Sequence, residues 1–482
     1  MVNFPLWSTL TGAVYPCPMT LVAGVDSSTQ SVKVVIRDAH SGALIREGRA
    51  SHPDGTEIDP EHWWDGLEKA IASAGELDDV SAISVGGQQH GMVALNNFGD
   101  VIRPALLWND TRSAQCAKEL NQELGGDQTV ADATGLVLVA SFTASKVRWM
   151  AENEPNNAGK VAAIALPHDW LSWKLQGGSD FRDLFTDRSD ASGTGYFDPV
   201  TSTYRRDIFA RALKSDRNVY LPRIVASNEF GGETLGGVKI GAGAGDNAGA
   251  AFGVQAQPGD VVVSLGTSGT AFSVSTTPTH DGTGAVAGFA DVTGNYLPLV
   301  CTLNAARILD AANRILGVDF KRLSELALSA PAGANGLTLL PYFEGERTPN
   351  RPDATGVFSG MNLTNSNPEN IARAMIEGML AGLADAVDAL VVQGVNINRV
   401  LLVGGAAKNP AVGKIASALF GREVIIPPAG EYVADGAARQ AAWALLGHAP
   451  EWNLGKVTHV QSDPTPHVMD KYRKLRDATV SW

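Results

Sequence analysis

The chain has 482 residues, 44% hydrophobic and 18% charged, a balance suited to folded domains and too long for one core. Its net charge of −13 excludes nucleic acid or an anionic membrane as partners held by bulk electrostatics. Cys17, Cys116 and Cys301 show no CxxC spacing, which fits a reducing, cytoplasmic setting and excludes a disulfide framework or a Cys-ligated zinc.

Residues 1–18 carry no basic n-region and read as a mobile N-terminal extension ahead of Met19. No apolar run reaches the roughly 18 residues that cross a bilayer. From Leu21 the pattern LVAGVD, SSTQS, VKVVI reads as strand, tight turn, strand, and SGAL (41–44) as another hairpin turn. DPEHWWDGLEKAI (59–71) starts a helix, with Asp59 expected as N-cap and Pro60 in the first helical position. SAISVGG (81–87) is a strand running into a loop. GDVVVSLGTSGTAFSVS (259–275) then repeats strand, Gly/Ser/Thr turn, strand, and NRVLLVGGAAKN (398–409) gives a strand, a Gly-Gly turn and a helix start. The repeat predicts two related α/β domains facing one another, 19–256 and 257–482, the second closing with KYRKLRDATVSW as a helix.

Ser, Thr and Gly turns directly after strands can aim backbone N–H groups at phosphate oxygens, although each alone is equally an ordinary hairpin turn. Three of them point to a nucleotide between the domains. The chain has no GK[ST], no GxGxxG after a strand, no HExxH and no GxSxG. Asp26, closing the first strand, either holds Mg²⁺ through water or caps a turn. GGQQHG (86–91) offers Gln88, Gln89 and His90, whose amides and imidazole suit the hydroxyls of a small polyol; a lone loop histidine is more often structural. LLWNDTR (106–112) adds the Trp108 face and an Asp110–Arg112 pair, and EGERTP (344–349) reads as a local salt bridge. In GAGAGDNAGA (241–250) small residues surround Asp246 and Asn247 where a glycine turn enters a helix. A helix N-terminus favours the charged carboxylate, so Asp246 is expected at a lowered pKa, as a weak base.

Two longer stretches are more specific. SFTASKVRWMAEN (141–153), with Lys146 and Trp149, and GVFSGMNLTNSNPENIARAMIEG (356–378), with Glu377, resemble the signatures of the FGGY carbohydrate kinases, over residues 20 to 445 of the chain. GQQHG, WNDTR, DPEHWW and GERTP are similar to that family's D-xylulose-phosphorylating branch. The resemblance implies an actin/hexokinase/Hsp70-like (ribonuclease H-like) α/β fold and ATP- and Mg²⁺-dependent phosphorylation of D-xylulose at its 5-hydroxyl. Ribulose, ribitol or gluconate are alternative acceptors within the family, and an actin/Hsp70-like ATPase switch is the alternative from another class. It further implies Asp246 as general base, Asp26 as the conserved N-terminal acid near Mg²⁺, and Gln89, His90, Trp108 and Asn247 as sugar contacts. Thr29, Gly266 and Thr267 fall in the phosphate turns, Gly404, Gly405 and Asn409 in the adenosine-side turn, and a homodimer is common among members. Ser28 stands where many members carry Gly, so this turn is expected not to need a positive φ. The loose transition state of phosphoryl transfer tolerates a weak base.

Overall fold

The computed structural model describes residues 19–480, so the extension read at 1–18 lies outside the described residues. Strands β1 (Leu21–Ser27), β2 (Ser31–Asp38) and β3 (Leu44–Ser51) form an antiparallel meander. β4 (Val80–Gly87) joins β1 in parallel, and β5 (Phe230–Glu233) and β6 (Lys239–Gly241) extend the sheet to the order β5-β6-β4-β1-β2-β3. Every residue of β1 is buried, because the sheet is covered on both faces and its central strand has no solvent side. On the meander lies α1 (Glu61–Ser73), which begins one residue later than the sequence pattern predicts. Asp59 still caps it through a carboxylate oxygen that accepts from Glu61 N at 3.1 Å, with Pro60 at the flanking position. Behind the β4 end sits α2 (Pro167–Leu175), and α3 (Asp246–Gly253) follows the glycine turn.

The second sheet repeats the plan. β7 (Asp260–Leu265) pairs antiparallel with β8 (Gly269–Ser273), which continues through β9 (Ala287–Ala290) and β10 (Tyr296–Thr302). β11 (Arg399–Val403), β12 (Val424–Ile426) and β13 (Thr458–Val460) complete the order β9-β10-β8-β7-β11-β12-β13. As β1 is antiparallel to β2 and parallel to β4, so β7 is antiparallel to β8 and parallel to β11. The repeated strand–turn–strand pattern in the sequence is thus a repeated sheet topology. The 25-residue α4 (Pro368–Val392) runs through the core of this unit beside α5 (Pro410–Phe420). Residues 466–478 of the closing segment are helical.

One element crosses over. α6 (Tyr432–Leu446), late in the sequence, packs on the first sheet and on α3, its Ala434, Ala438, Ala441 and Ala442 against Val22, Val35 and Ala82. The approach is so close that a side chain at Gly24 would overlap the Ala434 carbonyl, and one at Gly253 the Tyr432 carbonyl. Arg37–Asp435 (2.6 Å) and Lys33–Glu431 (2.5 Å) pin the same helix. The two sheets are thus joined through small-residue helices, α6 packing on both the first sheet and α3.

Candidate active site

Strand register brings the first group together. Asp26 on β1 lies opposite Gly86 on β4, and the short strand Ala244–Gly245 pairs with Gly86 and Gly87. The end of β1, the loop after β4 and the turn into α3 therefore converge, carrying Asp26, Gln88, Gln89 and Asp246. In the second unit Ser264 pairs with Val403, which sets the β7–β8 turn (Gly266, Thr267) beside Gly404 at the end of β11.

Asp246 opens α3 and is half-buried. Its Oδ1 accepts two bonds from Asn247, from the backbone N–H and from Nδ2, each 2.7 Å. Oδ2 accepts none from the described residues. Burial pushes the carboxyl up to about 7, against the Asn247 bonds and assisted by the negative charge of Asp26. The expected lowering is therefore corrected: removal from water outweighs the helix N-terminus. Asp246 is a stronger base than its position in the sequence suggests.

On the sugar side, Gln89 accepts from Asn247 Nδ2 at 3.3 Å, joining the GGQQHG loop to α3. His90 has φ of 70°, uncommon for a residue with a side chain, and sits between Phe142 (centroids 4.9 Å apart) and Phe289 of β9 (5.5 Å). Burial, with Lys146 and Arg347 nearby, holds it well below the ordinary imidazole value, so it is neutral, and its buried Nδ1 has no partner among the described residues. The Trp108 indole is 37% exposed and donates Nε1–H to Thr29 Oγ1 at 2.9 Å; Thr29 in turn donates to Gln88 Oε1 at 3.2 Å. The Thr29 hydroxyl is thus engaged with the sugar-side loops. Ser28 has no positive φ, and its N–H and hydroxyl both bond the Ser31 carbonyl, so the turn closes without glycine.

On the nucleotide side Gly266, Thr267, Gly404 and Gly405 are exposed. Gly404 has φ of 95°, and its Cα faces the Leu265 carbonyl so closely that no side chain fits, whereas Gly405 faces open space. Asn409 caps α5 with its Oδ1 at Ala411 N (2.9 Å), and its Nδ2 donates to the Phe320 carbonyl (3.3 Å). A divalent cation fits Asp26. Its Oδ1 is buried without a partner, its Oδ2 is 3.8 Å from Lys33 Nζ, which Glu431 draws away, and burial raises the carboxyl to about 6. A buried carboxylate with an unmet acceptor is a suitable seat for a hydrated cation.

Other expectations resolve locally. Asp110 and Arg112 pair at 2.9 Å, and Arg112 also reaches Glu57. In EGERTP, Glu344 pairs with Arg307, whereas Glu346 accepts from Leu303 N (2.6 Å) and Asn304 Nδ2 (3.0 Å), anchoring the loop to the end of β10. Sequence reasoning missed Gln440 of α6, which accepts from Gly243 N at 2.9 Å and donates to Gly243 O at 2.7 Å, clamping the turn before Asp246. It also missed Lys33 and Glu431; a lysine seven residues past Asp26, on the adjacent strand, was the available signal.

Residues 21–253 match the N-terminal domain, and residues 261–445 the C-terminal domain, of the FGGY family of carbohydrate kinases. The chain belongs to this family. It is 40% identical over 481 residues to the xylulose kinase of Streptomyces coelicolor, covering 92% of this chain and 97% of that one. The xylulose kinase of Streptomyces rubiginosus is 40% identical over 444 residues, 89% of each chain. The crystal structure of xylulose kinase from Bifidobacterium adolescentis superposes with a TM-score of 0.89 at 47% identity, covering 95% of this chain and 99% of that one. As an FGGY kinase the chain has the family's two-domain α/β fold and takes a sugar and ATP as substrates. The two long signatures are structural here. Buried Lys146 donates to the Ala140 and Ser141 carbonyls, Trp149 packs against the Arg103 and Arg112 guanidinium groups, and Glu377 pairs with Arg373 at 2.6 Å.

Proposed function

We propose that this FGGY kinase transfers the γ-phosphoryl group of ATP to the 5-hydroxyl of D-xylulose, giving D-xylulose 5-phosphate and ADP. The observation that carries the reading is the asymmetry of Asp246: Oδ1 is held twice by Asn247, Oδ2 is open, and the carboxyl lies near 7. Such a group orients a hydroxyl through Oδ2 and takes its proton as the P–O bond to ADP breaks. Gln89, neutral His90 and the Trp108 face bind the sugar's other hydroxyls and ring-opened carbon chain beside it. Backbone N–H groups of the Gly266–Thr267 and Gly404–Gly405 turns receive the phosphates. Asp26 would hold Mg²⁺, which when bound offsets the charge on the transferring group. Approach of the two units over the cleft excludes water and limits ATP hydrolysis. Similarity along nearly the full length to proteins named xylulose kinases supports D-xylulose as acceptor.

The test is ATP consumption with Mg²⁺ across D-xylulose, D-ribulose, L-ribulose, ribitol, glycerol and gluconate. A kcat/KM preference for D-xylulose of about 10² is expected from a site that hydrogen-bonds each hydroxyl. Preference for another acceptor overturns the sugar while keeping the chemistry. ATP turnover that no sugar accelerates overturns the kinase reading.

A further inference from the structure

Directly behind Asp246 lies a polar cluster that the mechanism above does not use. His168, on α2, is fully buried, and its Nε2 faces Asp190 Oδ2 (3.2 Å), Asp169 Oδ1 (3.3 Å) and Asp187 Oδ1 (3.6 Å). Its ring lies on bare backbone: a side chain at Gly243 would collide with it, and one at Gly87 would crowd the His168 Cβ. Gly243, at φ of 89°, begins the turn to Asp246, and Gly87 leads to Gln89. Asp187 caps the helical turn Arg188–Ala191, accepting from Ser189 N (2.7 Å) and Asp190 N (3.0 Å). On that turn Ser189 Oγ accepts from Gly245 N at 3.1 Å, one residue before Asp246. The segment also reaches the second unit, since Ser192 Oγ accepts from Ala290 N at 2.9 Å and Arg188 bonds the Asn295 carbonyl.

We propose that His168 and Ser189 are positioning residues for phosphoryl transfer: His168 anchors the Arg188–Ala191 turn through its aspartates, and Ser189 on that turn fixes the Gly245 N–H that sets the Asp246 carboxylate. This rests on the reading of Asp246 as proton acceptor. Burial alone would strip the proton from His168, but Asp169, with Asp187 and Asp190, raises it to about 9, so the ring is a cation inside the fold. Asp190 has no other partner among the described residues, so His168 is the side chain that holds it in place, while burial pushes its carboxyl well above the usual range. Small displacements at the reacting carboxylate are costly, because the hydroxyl, Oδ2 and the phosphoryl group must align together.

The experiment measures kcat and both KM values with D-xylulose and ATP for Ser189→Ala, His168→Gln, His168→Lys and the double variant Ser189→Ala/His168→Gln, with Asp246→Asn alongside. Ser189→Ala and His168→Gln are expected to lose at least about tenfold in kcat with KM for ATP within about twofold. His168→Lys, which restores the positive charge, is expected to recover most of kcat, and the double variant to lose no more than His168→Gln, since both act along one route. Should His168→Gln fail to fold by circular dichroism, Ser189→Ala alone decides. Wild-type kcat in folded Ser189→Ala, or losses that multiply in the double variant, overturns the proposal. So does equal impairment of the Gln and Lys variants, which would assign His168 to packing. Stoichiometric metal that Asp26→Asn retains and His168→Gln loses overturns it too, because His168, Asp169 and Asp190 could ligate a cation only with Nε2 deprotonated. An active Asp246→Asn variant overturns the underlying base assignment, whereas an inactive one beside a fully active Ser189→Ala overturns this proposal alone.

Discussion

Asn247 holds Asp246 by one oxygen only, donating its backbone N–H and its side-chain Nδ2 to Oδ1 at 2.7 Å each. The same Nδ2 lies 3.3 Å from Gln89 Oε1, so the residue that orients the base also touches the sugar-side loop. Binding and proton transfer are therefore set by one amide. Bulky residues would block this arrangement: a side chain at Gly245 would run into the Gln89 amide.

Replacing Asp246 by Asn keeps the shape and removes the acceptor. The expected outcome is a loss in kcat of about 10²–10⁴, the range of a positioned acid–base group, with ATP binding by calorimetry unchanged. Near-normal turnover would remove the base assignment.

The pH dependence follows from burial. With Asp246 near 7, kcat/KM is expected to fall as pH drops through about 7, since protonation removes the acceptor. The same shift has a stability sign. The native state binds more protons than the unfolded chain between the ordinary carboxylate value and the raised one, so each site lowers stability as pH rises through that window. Asp26→Asn and Asp246→Asn are therefore expected to melt higher than wild type at pH 8, and to lose that advantage near pH 4. Identical melting at both pH values would contradict a buried charge at either position.

How much of this was legible follows from where each cause lies. The paired topology, Asp26 and the Asp246 turn could be read because strands, glycine turns and their residues are contiguous in sequence. The pKa of Asp246 could not, because the local signal, a helix start, lowers it and the tertiary signal, burial, raises it further. Gln440 grips Gly243 from 197 positions away, and Lys33 meets Glu431 across 398. No local pattern encodes such pairs. The Asn409 cap, by contrast, is local, reaching Ala411 N two residues on.

His90 and Thr29 test the sugar half of the site. His90→Ala is expected to raise the KM for D-xylulose about tenfold, with KM for ATP unchanged, as the loss of one buried polar contact to substrate. Thr29→Val removes the acceptor for Trp108 Nε1–H and the donor to Gln88. It is expected to raise the sugar KM as well. A rise confined to ATP would return Thr29 to the phosphate side.

Glu377 tests whether the long C-terminal signature acts through the fold. It is 4% exposed, pairs with Arg373 at 2.6 Å and accepts from Gly333 N at 3.0 Å, tying α4 to the loop that precedes residue 334. Glu377→Ala leaves the buried Arg373 guanidinium without its counter-charge, a change that costs about 3–5 kcal/mol. At about 2–4 °C per kcal/mol for domains of this size, the melting temperature is expected to fall by at least about 6 °C. Because Glu377 and Arg373 are buried on α4 and hydrogen-bond to none of the site residues, kcat and both KM values of the folded fraction at low temperature should match wild type. A selective loss of kcat with unchanged melting would move Glu377 from the scaffold into the catalytic apparatus.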